Sequence, residues 1–171
     1  MAGNNTFKTQ ISKDLQSKKI TVIRAFDAPP DMVWRAWTES KLLDQWWAPK
    51  PWMAKTKSFN FEEGGSWLYA MCGPDGTKIW SVVEFSSIKK NSSFQAICFF
   101  CDENGNKNAD FPGMHWKNVF LSAGAGTRVE VEISFKNETD IQKIIEMGFE
   151  AGFTSALGNL DECLASGSRF I

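Results

Sequence analysis

The chain has 171 residues, enough for one domain with a sizeable core, and its 43% hydrophobic and 23% charged residues are the proportions of a soluble globular protein. Its 19 basic and 20 acidic side chains nearly cancel, and without a concentrated basic face nucleic acid is excluded as a partner. No apolar run reaches the roughly 18 residues of a membrane helix. The polar stretch from Met1 to Gln10 lacks the apolar region of a signal peptide. The expectation is therefore a cytoplasmic protein without membrane insertion, in which Cys72, Cys98, Cys101 and Cys163 are free thiols.

In chain order, residues 1–17 read as an N-terminal tail or extension, followed by one domain over 18–166 and a C-terminal tail over 167–171. Within the extension, Phe7, Ile11 and Leu15 are spaced for a short docking helix. Residues 19–27 form a strand pattern that Pro29-Pro30 stops, and proline suits a first helical turn because its missing N–H has no partner there anyway. Val33, Ala36 and Trp37 follow at helical spacing. Ser40 can cap a second short helix with the pairs Leu42–Trp46 and Leu43–Trp47, which Pro49 and Pro51 end.

The period then changes to two. Strands are expected near 52–61, 66–72, 78–88, 93–102, 114–123 and 127–136, separated by Gly64-Gly65, Asp75-Gly76, Asn104-Gly105 and Gly124-Ala125-Gly126, which suit hairpin turns. Thr127, Val129, Val131, Ile133 and Phe135 alternate with Arg128, Glu130, Glu132, Ser134 and Lys136, so the last strand has one buried face. Cys98-Phe-Phe-Cys101 lies in such a strand, with its two thiols on opposite faces rather than at a redox-active helix terminus.

A capping box at Thr139-x-x-Gln142 opens one long helix whose apolar stripe runs from Ile141 to Leu164. Gly148 and Gly152 interrupt it, which implies close packing or space left for something else. The expected architecture is α+β: a curved antiparallel sheet with this helix across its concave face.

The aromatic content, 14 Phe and 8 Trp against 1 Tyr, supplies large apolar rings that can fill a core or line a cavity. Trp37, Trp46 and Trp47 are expected to join the small helices to the sheet, and Gly64-Gly65 to turn the chain into the strand carrying Trp67. Candidate ligand-lining rings are Trp67, Tyr69, Trp80, Phe100, Trp116, Phe120, Phe149 and Phe153, although parity alone does not say which sheet face is concave. Candidate acid–base groups are Glu84, His115 and Tyr69. A carboxylate at position 84 would face either an apolar cavity or solvent. One histidine and cysteines without zinc spacing provide no metal site. Gly64-Gly65 leads into a strand rather than a helix, so it is a turn and not a phosphate cradle, and no cofactor fingerprint is present.

Val33-Trp34-x-x-Trp37-Thr38, Trp46-Trp47-x-Pro49, Gly64-Gly65-x-Trp67 and Gly152-Phe153-x-x-x-Leu157-x-x-Leu160-x-x-x-Leu164 together resemble the bacterial single-domain relatives of the heat-shock-protein-90 ATPase activator C-terminal domain, in the START-like (SRPBCC) superfamily. The resemblance spans about residues 19–165. It implies a helix-grip fold, a seven-stranded sheet wrapped around the C-terminal helix with a cavity between them. It also implies binding of a small hydrophobic or aromatic ligand. Alternatives within the superfamily are a cyclase- or hydrolase-type enzyme using a cavity carboxylate, and a co-chaperone module. The activator's N-terminal domain, which does most of the stimulation, has no counterpart in this sequence, which places chaperone contact last. A homodimer is compatible with the sequence. Relatives usually carry Gly-Trp where this chain has Gly152-Phe153, so any polar contact made by that indole is absent here.

Overall fold

The structure, a computed structural model, describes residues 9–167. Eight antiparallel strands form one sheet: β1 (Gln10–Asp14), β2 (Lys19–Phe26), β3 (Met53–Phe59), β4 (Ser66–Cys72), β5 (Lys78–Lys89), β6 (Ser93–Cys101), β7 (Met114–Ala123) and β8 (Gly126–Ser134). Their spatial order is β1-β2-β8-β7-β6-β5-β4-β3. β3 to β8 are thus a meander of sequential hairpins, and β2 closes against β8, with Ile20 opposite Ile133 and Val22 opposite Val131. Helices α1 (Pro30–Thr38) and α2 (Ser40–Trp46) fill the connection from β2 to β3, and α3 (Glu138–Glu146) and α4 (Phe149–Ser166) follow β8.

Period-two burial defines an inner face. On β8 the residues Thr127, Val129, Val131 and Ile133 are buried, and on β7 Met114, Trp116, Asn118 and Phe120 alternate with more exposed neighbours. Helix α4 lays Phe153, Ala156, Leu157, Leu160, Cys163 and Leu164 against this face. Trp46 is fully buried and donates from Nε1 to the Ala36 carbonyl at 2.9 Å, which pins α2 to α1. Asn159 of α4 donates to the Ala48 carbonyl at 3.0 Å, joining the last helix to the end of α2. Arg24, buried on β2, ion-pairs with Asp161 of α4 and donates to the Ala25 carbonyl at 2.8 Å. Burying a large ring such as Trp46 or Phe153 contributes roughly 1.5–3 kcal/mol, and the link to Ala36 satisfies the Trp46 indole N–H.

Four local expectations are corrected. Ile11 and Leu15 do not belong to a docking helix: residues 10–14 form β1, paired with residues 19–23, so the sheet has an eighth strand. Phe7 lies outside the described residues. The main-chain partners offered by β2's open edge outweigh the weak helical spacing of a short polar segment. The expected single C-terminal helix is two, because Gly148 adopts φ +88° between α3 and α4, in the left-handed region that glycine enters at little cost. Asn137, and not Thr139, precedes the first turn of α3, so no capping box forms. Ser40 is the first residue of α2 and makes no side-chain cap.

Candidate ligand cavity

A cavity of about 250 Å³ lies between the inner sheet face and the α3–α4 region. Tyr69 and Met71 of β4, Ile79 and Ser81 of β5, Cys98 and Phe100 of β6, and Met114 and Trp116 of β7 form its sheet side. Ile144, Met147, Phe149, Gly152 and Phe153 form its helical side, and Trp47 and Pro49 close one end. Phe149 and Phe153 stack at 5.4 Å, one helical turn apart, and Trp116 meets Phe153 edge-on at 5.7 Å. A methyl group at Gly152 would stand 3.7 Å from Pro49, so the glycine leaves open room. Met147 and Ile79 are 60% and 40% exposed, which marks the mouth.

A second, inner chamber of about 30 Å³ sits deeper, lined by Trp37, Leu43, Trp67, Val83, Phe85, Phe94, Ala96 and Asn118. Trp47, Cys98 and Trp116 line both spaces. Trp47 is central to the arrangement. Its ring lies 5.9 Å from Trp37, 5.6 Å from Trp67, 5.9 Å from Trp116 and 5.9 Å from Phe153. Its Nε1 donates to the Tyr69 hydroxyl at 2.9 Å.

The eight candidate rings separate by position. Tyr69, Phe100, Trp116, Phe149 and Phe153 line the large cavity. Trp67 lines the inner chamber and stacks on Tyr69 at 4.1 Å. Phe120 shares the inner face but is packed among Trp34, Trp37 and Phe94, at 5.2, 5.7 and 6.1 Å, in solid core away from the cavity. Trp80 points the other way. The inner stripe of β5 is Ile79, Ser81, Val83 and Phe85, which puts Trp80 on the outer face, where Lys57 lies 5.7 Å from its ring.

The acid–base candidates separate as well. Glu84 shares the outer parity of Trp80 and is ion-paired with Lys107 at 3.0 Å in a half-exposed position. His115 alternates with the inward-facing Met114 and Trp116 and so lies on the outer face of β7. Tyr69 alone reaches the cavity. Burial raises its phenol above the ordinary tyrosine value, and burial pushes the Cys98 thiol up to about 12. Both groups are therefore neutral at pH 7, and a neutral thiol is a poor nucleophile. No charged side chain lines either space among the described residues, and no group of histidines, cysteines and carboxylates arranged for a metal occurs among them.

Sequence reasoning did not single out Met71, Ile79, Ser81, Cys98, Met114, Ile144 or Met147 as lining residues. Met71, Cys98 and Met114 share strand parity with Tyr69, Phe100 and Trp116, so a choice of inner face would have found them. Trp37 and Trp47 were expected only to join helices to sheet, and they line the chambers too.

Comparison with known proteins agrees with this architecture. A family model described as activator of Hsp90 ATPase homolog 1-like protein matches residues 27–165. Protein Ms6760 from Mycobacterium smegmatis superposes with a TM-score of 0.86 at 26% identity, over 92% of this chain and 97% of that one. A protein from Arthrobacter aurescens gives 0.86 at 29% identity, covering 92% and 91%. One from Staphylococcus epidermidis gives 0.81 at 29%, covering 92% and 94%. No curated protein matches the chain. No helix among the described residues is long and apolar enough to cross a membrane. With the matched segment spanning most of its length and the helix-grip sheet and C-terminal helix in place, the chain belongs to the activator of Hsp90 ATPase homolog 1-like family.

Proposed function

We propose that this protein binds a small hydrophobic or aromatic molecule in the cavity between the sheet and helix α4. The observation that carries this reading is the 250 Å³ space itself, walled by Tyr69, Phe100, Trp116, Phe149 and Phe153 and free of charged side chains. Removing about 200 Å² of ligand surface from water would contribute roughly 5 kcal/mol before the costs of association. Gly152 supports the reading, because a helix interior tolerates glycine at a cost unless the missing side chain leaves useful space. With Glu84 and His115 on the outer face, no carboxylate or imidazole reaches the space, which favours binding over acid–base chemistry.

The test is a tryptophan fluorescence titration against a panel of alkylbenzenes, naphthalenes and medium-chain fatty acids, with native mass spectrometry of gently purified protein. At least one compound should give a saturable change that Gly152→Leu, filling the space from the helix side, weakens about tenfold or more. Failure of every compound to saturate, together with a bare polypeptide mass, would overturn the reading.

A further inference from the structure

Three residues that line the inner chamber carry buried polar atoms with no hydrogen-bond partner in the protein: Trp37 Nε1, Trp116 Nε1 and Asn118 Oδ1. The three residues are 4%, 8% and 2% exposed, and all line the same 30 Å³ space. A buried polar atom without a partner is costly, and native interiors contain few. Three in one small chamber mark a place built for a polar occupant. The Asn118 amide is oriented by its own donation to the Phe94 carbonyl at 3.4 Å, and its side-chain oxygen is left without a partner.

The set comprises two donors and one acceptor, and it discriminates sharply among functional groups. A hydroxyl oxygen accepts from two N–H groups and its hydrogen serves the acceptor, so it satisfies all three. An ether or carbonyl has no hydrogen for Asn118. A carboxylate would set a negative oxygen against the Asn118 oxygen and lose its hydration in a chamber without a countercharge. An ammonium group has no lone pair for either indole.

Trp47, Cys98 and Trp116 line both spaces, so the chamber and the apolar cavity adjoin at these three side chains. We infer that the inner chamber is a hydroxyl-recognition subsite and that the ligand is an apolar alcohol or phenol, held with its oxygen between Trp37, Trp116 and Asn118. The inference rests on the large cavity being a binding site.

Isothermal titration with para-propylphenol, para-propylanisole and para-propyltoluene separates the two claims. The phenol should bind about tenfold or more tightly than either the ether or the hydrocarbon, the scale of a satisfied against an unsatisfied buried hydrogen-bonding set. In Asn118→Leu that advantage should fall below about threefold, with the affinity for the hydrocarbon kept. Trp116→Phe, which removes one donor and keeps a ring, provides the same readout if the leucine variant does not fold. In the ¹⁵N–¹H spectrum the indole resonances of Trp37 and Trp116 should move with the phenol and stay with the hydrocarbon. Equal affinity for all three compounds would mean that the chamber holds only a water no ligand displaces; it would overturn the hydroxyl subsite and leave the cavity reading standing. No binding of any of the three would overturn the hydroxyl subsite, and the cavity reading would fall with it only if the wider panel also failed to saturate and the purified protein showed a bare polypeptide mass.

Discussion

Asp44 ends a short polar chain beneath the tryptophans: Trp67 Nε1 donates to Thr56 Oγ1 at 2.9 Å, and Thr56 Oγ1 donates to Asp44 Oδ1 at 2.6 Å. Burial raises the Asp44 pKa, and this outweighs the opposing effect of the Thr56 hydrogen bond. For an acid so shifted, ionisation costs stability in the folded state. The cost is absent below the unfolded value, near pH 4, and complete above the folded one. Asp44→Asn keeps an acceptor for Thr56 and cannot ionise. Urea melts at several pH values should therefore show the stability difference moving in favour of the asparagine variant as pH rises from about 4 to 7. A difference moving the other way would mean that the hydrogen bond, and not burial, governs the carboxyl group. The candidate site was legible at this scale to the extent that side-chain chemistry suffices: aromatic excess and a lack of metal ligands point to an apolar container. Alternation in β5 was equally plain, but two complementary stripes, Trp80-Val82-Glu84 and Ile79-Ser81-Val83, are both partly apolar. Only packing against α4 decides between them. Trp47 was hidden for a related reason: its helical pairing with Leu43 fully accounts for an apolar ring, and nothing local reveals that its indole reaches Tyr69 on the sheet.

At the scale of elements, two glycines four residues apart should respond in opposite directions to the same change. Gly148 holds φ +88° at the break between α3 and α4, so alanine there should cost about 1 kcal/mol. Gly152 lies inside α4, where a methyl group meets Pro49 at an ordinary 3.7 Å. Alanine at 152 should add up to ~1 kcal/mol of stability through helix propensity. Thermal or urea unfolding of the two single variants checks the pair, and a loss at both positions would show that α4 is packed tightly at Gly152. The break itself could not be read from the sequence, since Ile141, Ile144, Ile145 and Phe149 keep a helical stripe straight through it. A left-handed backbone angle has no signature in a glycine that helical spacing also accommodates. The seven strands from β2 to β8 were legible because hairpin turns punctuate a period of two, and both signals are local. β1 was not, because its short, exposed strand draws its order from β2, a partner that five polar-flanked residues do not advertise.

At the scale of the molecule, the first strand of the meander's closing pair is tied to the last helix by Arg24 and Asp161. The guanidinium is 6% exposed, while its partner carboxylate is at 36%. Removing that carboxylate takes the ion-pair partner from a buried cation, which also donates to the Ala25 carbonyl and to Thr9. Asp161→Ala should therefore cost about 1–3 kcal/mol. The loss should appear as a lower urea midpoint at unchanged slope, and a midpoint within error of the wild type would show that the pair is dispensable.

The mouth of the cavity bears on how molecules come and go. Met147 stands largely in solvent at the helix break, opposite Ile79 at the start of β5. A thioether chain is unbranched, polarizable and free to turn, so it can adapt to guests of different width. Rotation of such an exposed side chain takes picoseconds to nanoseconds, far faster than the separation of helices or strands. For a guest of the proposed kind, passage at this doorway would ask for side-chain motion and not for separation of helix from strand, so a rigid fold and quick exchange would be compatible.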